Sequence, residues 1–143
     1  MMNLKNKELI HYLKQLIKQM EEYYSLKCVI LFGSQARGDF TPYSDIDLII
    51  VGEFKEKFIE RGHFFHEKHD YKVGLDAFCY NPQEFDKMFI KGTVSILDAI
   101  DEGICISGLN FFNEYKEKLF KLKKIGLKKE PPVWILPKSM LIE

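Results

Sequence analysis

Cys28-Val29-Ile30-Leu31-Phe32-Gly33-Ser34-Gln35-Ala36-Arg37-Gly38-Asp39-Phe40-Thr41-Pro42-Tyr43-Ser44-Asp45-Ile46-Asp47-Leu48-Ile49-Ile50-Val51 is the stretch whose reading decides the fold. Its apolar runs at 28–32 and 48–51 read as strands. Gly33 makes the turn between them, and a short helix at 34–37 ends at Gly38. A loop with Pro42 as breaker follows, and the second strand, 45–51, opens on two carboxylates. Asp45 and Asp47 are two residues apart, so on a strand they share one face. Paired like charges repel each other. A structural role rarely needs that arrangement; a divalent cation does.

Bulk properties bound what surrounds this stretch. A chain of 143 residues is long enough to bury one core. It is 46% hydrophobic, with twelve Phe and seven Tyr, which excludes a disordered chain. Lys plus Arg and Asp plus Glu are equal at 21 each, so the overall charge points to neither a nucleic-acid nor a membrane partner. Cys28, Cys79 and Cys105 are odd in number, lack metal-ligand spacing and sit among apolar neighbours. They read as reduced core thiols. The first residues lack the apolar centre of a secretion signal, and no apolar run reaches membrane-spanning length. The expectation is a cytoplasmic protein.

Working outward, residues 5–24 place Leu9, Tyr12, Leu13, Leu16, Ile17 and Met20 at three- and four-residue steps, an amphipathic helix packed on the sheet. Residues 54–68 read as a second long helix. Its His63 and His66, with His69 beyond, have three-residue spacing that could share a metal on one face. All three cannot converge, and an ordinary helix end is the simpler reading. Residues 71–80 form a third strand, in which Val73, Leu75, Ala77 and Cys79 alternate with Lys72, Gly74, Asp76 and Phe78. Asp76 interrupts what reads as an apolar central strand, and needs a partner, a hydrogen bond or a metal there. Pro82 opens a short helix, another spans 93–101, residues 103–107 form a short edge strand, and Asn110 caps a last helix to 124.

These residues carry chemistry in combination. Glycine lets backbone approach a ligand closely, and a helix start offers N–H groups to an anion. Gly33-Ser34 thus reads as a phosphate cradle beside the carboxylates. Mg²⁺ prefers oxygen ligands, commonly a few carboxylates plus substrate phosphates. Two such ions stabilise both oxygens of an in-line displacement. If the third strand lies beside the second, Asp76 faces Asp45 and Asp47 and is placed as a general base.

Gly33-Ser34-Gln35-Ala36-Arg37-Gly38, with ten residues between Ser34 and the following Asp45-Ile46-Asp47-Leu48, resembles the signature of the DNA polymerase beta-type nucleotidyltransferase superfamily. The resemblance is to its minimal nucleotidyltransferase branch and extends over roughly residues 5–108. It implies an α/β (α+β) fold with a mixed sheet backed by helices, and transfer of a nucleoside monophosphate from a nucleoside triphosphate such as ATP. It also implies that Gly33 and Ser34 hold the triphosphate, and that Asp45, Asp47 and Asp76 are catalytic ligands for Mg²⁺, two ions in all. Arg37 lies in the motif; contact with phosphate, bracing of the loop and a surface salt bridge stay open.

Larger relatives carry a helical acceptor-binding domain, for which the roughly 35 residues after Ser107 are too few. The minimal domain is taken as 1–126. Residues 127–143, with three prolines and the single Trp134, form a tail that packs on the domain or on a partner. Minimal nucleotidyltransferases of this kind often pair with a HEPN-domain protein as antitoxins, some by adding AMP to it. A non-catalytic antitoxin acting by occlusion is an alternative. An RNA-directed enzyme is another, motivated by Lys116, Lys118, Lys121, Lys123, Lys124, Lys128 and Lys129, although a solvated helix face is the simpler reading of those lysines. A homo-oligomer is compatible with all three.

Overall fold

The apolar runs of the central stretch become β1 (Leu26–Phe32) and β2 (Ile46–Gly52), an antiparallel pair joined through α2 (Ser34–Arg37). The computed structural model describes residues 4–39, 41 and 43–141. The expected breaker Pro42 and the first three residues lie outside that set. β3 (Leu75–Tyr80) adds parallel to β2, and β4 (Ile104–Ser107) antiparallel to β1. The result is a mixed four-stranded sheet in the order β3-β2-β1-β4, backed by helices as expected.

Helices cover both faces, which is why β1 and β2 read as unbroken apolar runs and not as alternation. On one face, Val29, Leu31, Leu48 and Ile50 meet α1 (Leu4–Met20) and α3 (His63–Lys68). The stripe Leu9, Leu13, Leu16, Ile17 and Met20 of α1 is buried there, as its spacing predicts. On the other face, Cys28, Ile30, Ile49 and Val51 pack with Phe85 and Phe89 of α4 (Pro82–Ile90), Leu97 and Ile100 of α5 (Val94–Glu102), and Tyr115 and Leu119 of α6 (Leu109–Lys124). No helix among the described residues is long and apolar enough to cross a membrane.

Four expectations change. The helix predicted over 54–68 is broken into a 3₁₀ turn at Phe58–Glu60 and the short α3, so His63 and His66 stand on a helix of less than two turns. His69 is engaged elsewhere: Nδ1 lies 2.8 Å from the Tyr12 hydroxyl and Nε2 lies 2.7 Å from the Val73 carbonyl. β3 starts at Leu75 and is an edge strand, so Asp76 is exposed and not embedded in a central strand. α6 begins at Leu109 behind Gly108, not at an Asn110 cap. Gly108 has φ +81°, and a Cβ there would sit 2.0 Å from the Lys27 carbonyl oxygen, so the backbones pack too closely for any side chain.

The tail folds back. β5 (Lys128–Glu130) and β6 (Val133–Ile135) form a small antiparallel hairpin, followed by α7 (Lys138–Leu141). Trp134 is buried with the α4–α6 core, and its indole N–H donates to Asp98 Oδ1 at 2.8 Å. The Lys129 ammonium donates to the same carboxylate.

Arg61 has no counterpart in the sequence-based reading. Its side chain is almost wholly buried beside the β3 edge. Its Nε donates to the Glu56 carbonyl at 3.0 Å, and Nη1 donates to the Cys79 carbonyl at 3.2 Å and to Glu84 Oε1 at 2.6 Å. Glu84 also accepts the Asn81 N–H at 2.7 Å, closing the first turn of α4. One guanidinium thus ties the β2–β3 crossover to β3 and α4. Arg61→Met leaves these acceptors without their donor and should lower unfolding stability by about 3 kcal/mol, read from urea titration.

Candidate active site

The site is built where β1 ends. At Gly33 the backbone turns with φ +75°, and a Cβ there would lie 2.5 Å from Asp47 Oδ2. Both facts require glycine: the dihedral, and a carboxylate resting directly on the backbone. The N–H groups of Ala36 and Arg37 donate to the Gly33 carbonyl, each at 3.1 Å. Gly38, left-handed at φ +86°, ends α2 by donating to the Ser34 carbonyl at 2.9 Å. Ser34 therefore occupies the first helical position, beside the Gly33 turn. Gln35 is buried and donates through Nε2 to the Ser44 carbonyl at 3.0 Å. It stitches α2 to the residue before Asp45, so the glycine turn and the carboxylates are held as one unit. A lone polar residue in a turn carries no periodicity that could have announced this.

Asp47 pairs with Phe32 of β1 on one side and with Asp76 of β3 on the other. Paired positions in a sheet point to the same face, so the two carboxylates stand side by side. Asp45 lies one residue before β2 and not within it. Its carboxylate rests against Gly74, where a Cβ would lie 2.7 Å from Oδ1. Asp45 and Asp76 are exposed and Asp47 is half-buried. The Asp47 pKa is pushed up to about 6, first by burial and then by the charges of Asp76 and Asp45 and a hydrogen bond with Asp76. Arg37 pulls it the other way. That guanidinium pairs with Asp39 at 3.2 Å and with Glu102 at 3.3 Å. Both contacts are surface salt bridges, and the second joins α2 to the end of α5.

Gly33, Ser34, Asp45, Asp47 and Asp76 thus gather at one end of the sheet, while the His63–His66 pair sits on α3. Among the described residues no three acidic, histidine or cysteine side chains close into a ready-made metal cage. Asp45 leans on Gly74 while Asp47 and Asp76 share a hydrogen bond. The donor set is nonetheless all carboxylate oxygen, which suits a hard divalent cation. Neutralising charge is what a half-buried carboxylate beside two others lacks.

The raised Asp47 pKa has a consequence for stability. A folded-state pKa above the unfolded value means that the folded protein holds the proton more tightly. That stabilisation is complete below about pH 3.8 and is lost as pH rises through about 6. At pH 7.5, in chelator, Asp47→Asn should therefore melt about 3 °C above the wild type, equivalent to about 1 kcal/mol after solvent screening, with no such gain near pH 3.5. Gly33→Ala should lower the melting temperature and displace the Asp47 carboxylate, visible as a changed titration midpoint of that group.

Comparison with known proteins gives the family and the fold. The nucleotidyltransferase domain family matches residues 13–138. A Methanocaldococcus jannaschii protein, provisionally named a protein adenylyltransferase, is 46% identical over 43 residues, covering 29% of this chain and 43% of that protein. The matched part thus spans less than half of the relative's length. A chain in the crystal structure of a toxin–antitoxin with AMP-PNP superposes with TM-score 0.54 at 17% identity, over 78% of this chain and 86% of that one, and shares the fold. A Sulfolobus solfataricus structure, provisionally named a nucleotidyltransferase, gives TM-score 0.49 at 18% identity, over 70% of this chain and 80% of that one. With the family match spanning most of its length, the chain belongs to the nucleotidyltransferase domain family.

Proposed function

We propose that the protein transfers AMP from ATP, with Mg²⁺, to a hydroxyl on a partner protein, and that it serves as the antitoxin of a toxin–antitoxin pair with a HEPN-domain partner. The observation that carries the reaction is the in-register pair of Asp47 and Asp76 beside the Gly33 turn, with Asp47 held at a raised pKa by burial and by its neighbours. Gly33 and Ser34 hold the triphosphate, and Asp45, Asp47 and Asp76 would hold two Mg²⁺ ions. When bound, the ions would neutralise charge on the reacting phosphate and on the leaving pyrophosphate. Asp76, the more exposed of the paired carboxylates, accepts the proton of the acceptor hydroxyl. The hydroxyl oxygen then bonds to the α-phosphorus, and the bond to the β-bridging oxygen breaks to release pyrophosphate. Arg37 keeps α2 in place.

Two features support a protein acceptor in the cytoplasm. The comparisons include a protein provisionally named a protein adenylyltransferase and a chain from a toxin–antitoxin structure. Cys28, Cys79 and Cys105 are unpaired thiols, as expected in a reducing compartment. The basic C-terminal stretch gives little support to an RNA acceptor. Lys118, Lys123, Lys128 and Lys129 are ion-paired within the chain, and Lys116 donates to the Asp101 carbonyl.

The test is transfer of α-³²P label from ATP to the co-expressed partner. Asp76→Asn should slow labelling by about 10²- to 10⁴-fold, and Asp47→Asn or a chelator should abolish it. Full labelling by Asp47→Asn would sink the mechanism. If that variant neutralises the partner as well as wild type does, occlusion and not transfer carries the biological role.

A further inference from the structure

The sheet face that presents Asp47 and Asp76 continues, two residues along, to the pair Ile49 and Phe78 and then to Val51 and Tyr80. Ile49, Val51 and Tyr80 are buried, but Phe78 remains 38% exposed. An aromatic ring left in water beside two carboxylates gives up burial energy that core packing does not recover. Phe32 of β1 stands next to it, with ring centroids 6.2 Å apart and planes tilted by 58°. Together with Asp47, Ile49, Tyr80 and Ser95 from the first turn of α5, these rings line a cavity of about 260 Å³.

We infer that this slot receives the nucleobase of the nucleoside triphosphate, a purine stacked on Phe78 with Phe32 against its edge. The assignment rests on the nucleotidyl-transfer reading and adds to it the residues that hold the base. Three observations converge on it. The cavity opens at Asp47, where the reacting phosphate is held, and the Phe78 row lies two residues further along, about 6.6 Å, the span of a ribose. Its walls are aromatic and aliphatic, which rewards a flat π-system and offers nothing to a second phosphate. Beside Asp47 at the phosphate end, its polar members are the Ser95 hydroxyl, which can donate to or accept from a base edge, and the Tyr80 phenol. A purine contacts more of both rings than a pyrimidine does. Asp76 is left exposed for the acceptor hydroxyl.

Equilibrium binding with Mg²⁺ of ATP, CTP and inorganic tripolyphosphate tests this on the full chain. Wild type should bind ATP about tenfold tighter than tripolyphosphate, with CTP between them. Phe78→Ala should bring ATP down to the tripolyphosphate level and leave tripolyphosphate unchanged. Phe78→Trp, which keeps a stacking surface, should retain the preference, and Ser95→Ala should weaken ATP with no effect on tripolyphosphate. Unchanged ATP affinity in Phe78→Ala, or equal binding of ATP and tripolyphosphate by wild type, overturns the slot assignment and leaves the transfer reading standing. Equal binding of ATP and CTP overturns the purine preference. Wild type that binds neither ATP nor tripolyphosphate overturns the nucleotide reading itself, and the slot with it.

Discussion

Repulsion between the carboxylates of Asp47 and Asp76 is the constraint on which the functional end of this molecule depends. Parallel pairing of β2 with β3 puts the two side chains at the same level on one face, and the backbone cannot separate them without losing register. Asp45, just ahead of β2, adds a third charge nearby. A protein that folds around such a cost keeps it for what the charges do together. Here the cost falls on the half-buried member, Asp47, whose carboxylate lies on the bare backbone of Gly33. That contact joins the glycine turn to the acids.

The rest of the fold works to hold this end still. Gln35 fastens α2 to the loop before Asp45, and Arg37 fastens it to α5. Arg61 draws the crossover, β3 and α4 together, which fixes the strand that carries Asp76 and Phe78. At the far side of the α4–α6 layer, Asp98 receives both Trp134 and Lys129, so the tail is anchored to α5, the helix that supplies Ser95. Each attachment is a side chain meeting partners distant in sequence.

That pattern explains what was legible beforehand. β1, β2 and the core stripe of α1 follow from local periodicity, and the Gly33 turn and the carboxylate spacing follow from short-range chemistry. The broken helix at 54–68 was not legible, because its apolar spacing fits a helix, while Arg61 is satisfied only by the 3₁₀ turn that brings its guanidinium to Cys79 and Glu84. The edge position of β3 was equally hidden: it depends on strand order, which no single strand encodes. Gln35 and Phe78 gave no signal, since a buried amide and a half-exposed ring become informative only once their neighbours are known.

The account's central claim is that Asp47 is an under-compensated carboxylate awaiting a cation, and ¹³C NMR titration of its carboxyl carbon tests this most directly. Without divalent cation the midpoint should lie near pH 6 and should fall when Mg²⁺ and a non-hydrolysable ATP analogue are added. A midpoint near 3.8 that ignores Mg²⁺ would contradict the account.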